Sequence, residues 1–148
     1  MEQLSRETVW RILDDAPVAR LGQIDSRDGV QAIPFVFARV NDRLFSPVDG
    51  KPKRHAKLAR LTWLDKYPNV TVLIDNYEAD WSQLWWLRLY GVGTSVGEEH
   101  PDWPQCVNEL QRKYPQYEQI PMFQHEPTMM CITIERWTAW AFSPGGIS

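Results

Sequence analysis

Apolar positions near the start of the chain recur at helical spacing. Val9, Ile12 and Leu13 form a stripe, and Trp10 flanks it. Ser5 stands where an N-cap belongs, Leu4 can staple against Val9, and Asp14–Pro17 ends the helix. The period then changes to two. Val18–Asp25 alternates apolar and polar residues as a strand does, and Ser26-Arg27-Asp28-Gly29 supplies a hairpin turn. Val30–Val40 continues as a second strand with Pro34 inside it. Proline donates nothing to a ladder, so that position predicts an edge, a bulge or backbone facing a ligand. Asn41-Asp42 turns the chain into a third strand, Arg43–Ser46.

The stretch from Asp49 to Lys66 predicts a helix with Leu58, Leu61 and Leu64 on its apolar side. Val70–Asn76 is a continuous apolar run of the kind found in buried strands. Leu84–Gly97 predicts a long strand whose glycines allow the bends of a barrel corner. Asp102 can cap a helix from Trp103 to about Lys113, with Pro104 tolerated in its first turn. Tyr114–Gln124 is a proline-punctuated loop, and Thr128–Phe142 is the last long strand. Strands follow one another through turns instead of alternating with helices. The expectation is a mainly β fold: an antiparallel barrel or sheet of six to seven strands with flanking helices. No internal repeat or linker divides residues 1–148, so one domain is expected.

Composition narrows the classes. No apolar run approaches the roughly 18 residues that span a bilayer, and the acid-containing N-terminus lacks a secretory apolar core. A cytoplasmic protein without a membrane partner is therefore expected. The net charge of −3 argues against nucleic-acid binding. Two cysteines, Cys106 and Cys131, make neither a disulfide framework nor a zinc site, and no metal is expected. Eight tryptophans in 148 residues are unusual: large flat side chains need a core, a partner subunit or a flat ligand.

Against this acidic background, five of the ten residues from Lys51 to Arg60 are cationic: Lys51, Lys53, Arg54, Lys57 and Arg60. They fall after a strand and turn, at the predicted start of a helix. Free N–H groups and partial positive charge there would join the side chains in holding a phosphate. A solvated helix face is the competing reading. The P-loop pattern is absent. The aromatic group Trp81, Trp85, Trp86, Tyr90, Trp137 and Trp140 predicts mostly core and interface, with adjacent Trp85 and Trp86 facing opposite sides of one strand. His55, His100 and His125 are scattered, and no hydrolase motif accompanies them. A chain without a committed catalytic side chain suits chemistry carried by a cofactor.

The order of these elements, with the segments VARLGQIDSRDGVQAIPFVFARVNDRLFSPVDGKPKRHAKLARL, YPNVTVLIDNYEADWSQLWWLRLYGVG, KYPQY and IERWTAW, resembles the pyridoxamine 5′-phosphate oxidase-like superfamily of split β-barrel, FMN-binding proteins. The combination D-G-K-P-K, D-W-x-x-L-W-W-x-R and R-W-x-x-W is similar to a branch of oxidoreductases that use FMN or the deazaflavin coenzyme F-420. The resemblance implies a homodimer with two cofactor sites at the subunit interface and a small-molecule substrate that it does not identify. It assigns the phosphate to the Lys51–Arg60 cluster, with Arg60 at the family's usual phosphate-binding position and Lys53, Arg54 and Lys57 as further candidates. It lays the ring against the backbone of Ile33, Pro34, Phe35 and Val36, brings Phe45 and Ser46 to the ribityl or phosphate portion, and puts Trp86 where some relatives carry a glutamine. Trp137 and Trp140 would form a wall from the second subunit. The C-terminal arginine and histidine with which true pyridoxamine 5′-phosphate oxidases bind substrate have no match in WAFSPGGIS. FMN is the first expectation and coenzyme F-420 the alternative. A non-catalytic flavin carrier or sensor is the competing function.

Overall fold

The computed structural model describes residues 3–48 and 59–147. The chain runs α1 (Arg6–Asp15), β1 (Ala19–Ile24), β2 (Val30–Phe35), β3 (Ala38–Val40), β4 (Arg43–Pro47), α2 (Ala59–Lys66), β5 (Asn69–Asn76), β6 (Trp85–Val96), α3 (Trp103–Lys113) and β7 (Met129–Ala141). Short 3-10 turns occur at Trp81–Gln83 and Pro115–Glu118. Ser5 caps α1 as expected, its hydroxyl accepting from the Thr8 N–H. Asp102 precedes α3, but its carboxylate makes no capping hydrogen bond. Its backbone N–H instead donates to His100 Nδ1.

The seven strands among the described residues join one antiparallel sheet in the order β2-β1-β5-β6-β7-β4-β3. The residue pattern predicts one strand over Val30–Val40. The structure breaks it at Val36-Phe37 into β2 and β3, which lie at opposite edges of the sheet. The sheet therefore closes through two covalently linked edge strands that share no ladder. This is what splits the barrel, and it leaves Pro34 on an edge where its missing N–H costs no ladder bond. In the β1–β2 turn the positive φ falls on Asp28, not on the following glycine.

The inner face builds the main core. Val9 and Leu13 of α1, Leu61 and Leu64 of α2, and Leu21, Val72, Leu87, Leu89 and Ile132 of the sheet are buried together. The register shift between β6 and β7 follows Tyr90, where Gly91 lies against the Thr133 carbonyl. A second cluster, including Phe45, Trp103, Cys106, Leu110, Tyr114 and Cys131, packs α3 beneath β3 and β4. Leu58 and His55 lie outside the described residues. No helix among the described residues is long and apolar enough to cross a membrane.

Candidate functional site

The barrel split opens into a cleft of about 480 Å³. One wall is the end of β2 and the kink after it, Pro34, Phe35 and Val36. The floor is the end of β4, Ser46 and Pro47, with Arg60 at the start of α2 beside it. The opposite wall is Tyr114, Gln116, Tyr117, Ile120, Pro121 and Met122, from the segment that leaves α3. Its size suits a small-molecule site, and its lining is mostly apolar with a few polar residues, Ser46, Gln116 and Arg60. A planar ligand with an anionic end fits that donor set.

Local structure fixes these groups. Gln23 is a buried polar residue on the inward face of β1. Its Nε2 donates to the Arg60 carbonyl at 3.0 Å, which ties the start of α2 to the sheet. Tyr114 is buried, and burial pushes its hydroxyl pKa up. Its hydroxyl accepts from the Phe37 N–H at 3.2 Å and lies 3.0 Å from the Pro17 carbonyl. Beside it, the Lys113 ammonium donates to the carbonyls of Leu13 and Phe37 at 3.0 and 3.1 Å, and burial lowers its pKa to about 8.

Five residues that the family resemblance assigns to a cofactor line one cleft: Pro34, Phe35, Val36, Ser46 and Arg60. Others lie elsewhere. Ile33 alternates to the inner face and packs on the main core. Phe45 is fully buried in the second cluster, edge-on to the His100 ring at 5.4 Å. Trp137 packs 5.9 Å from Trp10, and its Nε1 donates to the Leu4 carbonyl at 3.0 Å. Trp85 packs on the core and Trp86 points the other way, as their adjacency required. Lys51, Lys53, Arg54 and Lys57 lie outside the described residues. Nothing in the residue pattern assigns a site role to Tyr114, Gln116, Tyr117, Ile120 or Met122. Prolines marked that stretch as a loop, but no local signal says which end of the barrel a loop covers.

The outer face of β6 and β7 carries a second grouping. Trp86 is the register partner of Trp140, and Tyr90 that of Arg136. The Arg88 guanidinium lies 4.9 Å from the Trp86 ring and 5.5 Å from the Tyr90 ring, and the Arg136 guanidinium is 3.8 Å from the Tyr90 ring. A hydrogen bond with Thr138, helped by both arginines, lowers the Tyr90 pKa. No group of three or more metal-ligating side chains occurs among the described residues.

No family model matches the chain, and no curated protein matches it. Solved structures do. The conserved hypothetical protein Rv2991 from Mycobacterium tuberculosis superposes with a TM-score of 0.74 at 14% identity, covering 94% of this chain and 86% of that one. A Listeria innocua protein named for pyridoxamine 5′-phosphate oxidase gives 0.62 at 20% identity, covering 90% and 95%. The FAD-binding protein from Mycobacterium smegmatis gives 0.61 at 18% identity, covering 96% and 98%. At these identities the likeness is one of fold. The chain shares with these three structures a mainly β split barrel with flanking helices.

Proposed function

We propose that the chain binds a flavin in the cleft at the barrel split, FMN before coenzyme F-420, and works as an oxidoreductase at the interface of a homodimer. The observation that carries this reading is the convergence of Pro34–Val36, Ser46 and Arg60 on one cleft from three separate elements. In this reading Arg60 and Ser46 hold the phosphate, and Lys51, Lys53, Arg54 and Lys57 are further cations for it. The edge-strand backbone at Pro34–Val36 lies along the ring, while Tyr117, Ile120 and Met122 keep water from it. Bound flavin would supply hydride or electron-pair chemistry; the protein's part is binding, orientation and exclusion of water. The similarity in fold to an FAD-binding protein supports the flavin assignment. The outer aromatic face of β6 and β7, with Trp86 and Trp140 on it, supports a second copy docking there.

Titration with FMN and riboflavin, followed by flavin fluorescence, tests the reading. A charge-assisted hydrogen bond to phosphate is worth about 1.5–3 kcal/mol, so FMN should bind roughly ten- to hundredfold tighter than riboflavin. Arg60→Ala should remove most of that preference. Equal binding of the two ligands by the wild-type chain, or an unchanged preference in Arg60→Ala, would refute the phosphate site. Reduced cofactor that candidate acceptors do not reoxidise faster would point to a carrier or sensor instead of an enzyme. Sedimentation of the purified chain as a monomer would remove the homodimer.

A further inference from the structure

We propose that Lys113 and Tyr114 are positioning residues for the cleft: together they form a clasp that holds the β2–β3 kink in the shape against which a ring would lie. The consequence for binding rests on the flavin reading above; the clasp itself rests on geometry alone.

The kink poses a problem of backbone accounting. β2 ends at Phe35 and β3 begins at Ala38, so Phe37 lies between two ladders and in neither. Phe37 is nonetheless fully buried, and a buried peptide group needs a partner. Its N–H donates to Tyr114 Oη at 3.2 Å, and its carbonyl accepts from Lys113 Nζ at 3.1 Å. The single hydroxyl proton of Tyr114 serves the Pro17 carbonyl at 3.0 Å or the Phe37 carbonyl at 3.2 Å. Lys113 also reaches the Leu13 carbonyl at 3.0 Å, in the last turn of α1, where carbonyls lack intrahelical partners and a cation is favoured. The Phe37 ring lies 3.8 Å from the ammonium. Two adjacent side chains at the end of α3 thus tie together α1, the α1–β1 connection and the kink. Val36 precedes the clasped residue and lines the cleft, as does the Tyr114 ring itself. A shift of Phe37 would therefore carry the Pro34–Val36 wall with it.

Tyr114→Phe separates the clasp from the wall, because it keeps the ring and removes only the hydroxyl. In the cofactor-free protein, amide hydrogen exchange across residues 34–38 should accelerate roughly ten- to hundredfold, the loss of the bond the hydroxyl accepts and the one it donates, while β5 and β6 keep their protection. Lys113→Met should accelerate the same segment and serves if Tyr114→Phe does not fold. In titrations, Tyr114→Phe should weaken FMN and riboflavin by the same factor of about ten, because the clasp positions the ring and not the phosphate; Arg60→Ala should weaken FMN alone. Unchanged exchange at 34–38 in both variants overturns the clasp. So does exchange raised evenly over the whole sheet, which would be general destabilisation. Raised exchange with unaltered flavin affinity overturns its role in positioning. A wild-type chain that binds neither flavin refutes the flavin reading, and the exchange result still decides the clasp.

Discussion

Three glycines of the sheet meet their neighbours at graded distances, and replacing each by alanine should give a graded loss of stability. A Cβ on Gly91 would stand 2.5 Å from the Thr133 carbonyl oxygen and 2.8 Å from Ile132 Cγ2. Non-bonded contacts with carbon settle near 3.5–4.0 Å, so something must move by about an ångström. The nearest atom is backbone of β7, held in the long β6–β7 ladder, and cannot swing aside as a side-chain tip can. Forced overpacking costs roughly 1–3 kcal/mol. Against it stands the gain of about 0.4–1 kcal/mol from a less flexible unfolded chain. Gly91→Ala should therefore lose about 1–2 kcal/mol, a fall in Tm of roughly 2–8 °C at this chain length. At Gly93 the obstacle is the tip of Leu64, 3.0 Å from the new Cβ. That side chain can yield, so the two effects nearly cancel. At Gly22 the nearest atoms are 3.8 Å away, an ordinary contact, and alanine should stabilise by about 0.5 kcal/mol. Urea and thermal melts followed by far-UV circular dichroism give the order. Gly91→Ala as stable as Gly22→Ala would show that β6 and β7 do not approach closely at Gly91 and would refute the graded order.

Burial holds the folded Lys113 pKa near 8, below the 10.5 of the free side chain. Between those values the unfolded chain binds the extra proton, so the wild type should gain stability relative to Lys113→Met as pH rises from about 8 to 10.5; paired urea melts that stay parallel across that window would contradict it. Burial likewise pushes the Cys106 and Cys131 thiols up to about 12 and 11. Neither should react with a thiol reagent at pH 8 in the native protein, while both react in denaturant; rapid native labelling of either would show that the second core cluster opens.

Part of the candidate site could be read without the structure. Pro34 announced an edge or a ligand-facing backbone through its missing donor, and β2 is an edge strand with that residue in the cleft wall. Trp85 and Trp86 had to part, because neighbours on a strand face opposite ways. The same alternation puts Ile33 and Phe35 on the inner face, Phe35 within the main core and Ile33 partly buried against it. For Phe45, apolar character suited equally a ligand and a core, and only the packing of α3 and His100 against it chose the core.

Local chemistry determined most of the elements. The Ser5 cap, the strand alternation and the turns at Asp28 and Asn41 depend on residues a few positions apart. Strand order and the break at Val36-Phe37 do not, because pairing partners such as β4 and β7 lie some 85 residues apart and are chosen by shared burial. The wall made by Tyr114, Gln116 and Met122, and the clasp that Lys113 and Tyr114 close on Phe37, exist only once α3 is docked. Long-range packing brings unpaired carbonyls to a lysine 76 and 100 positions away, and no pattern along the chain encodes that meeting.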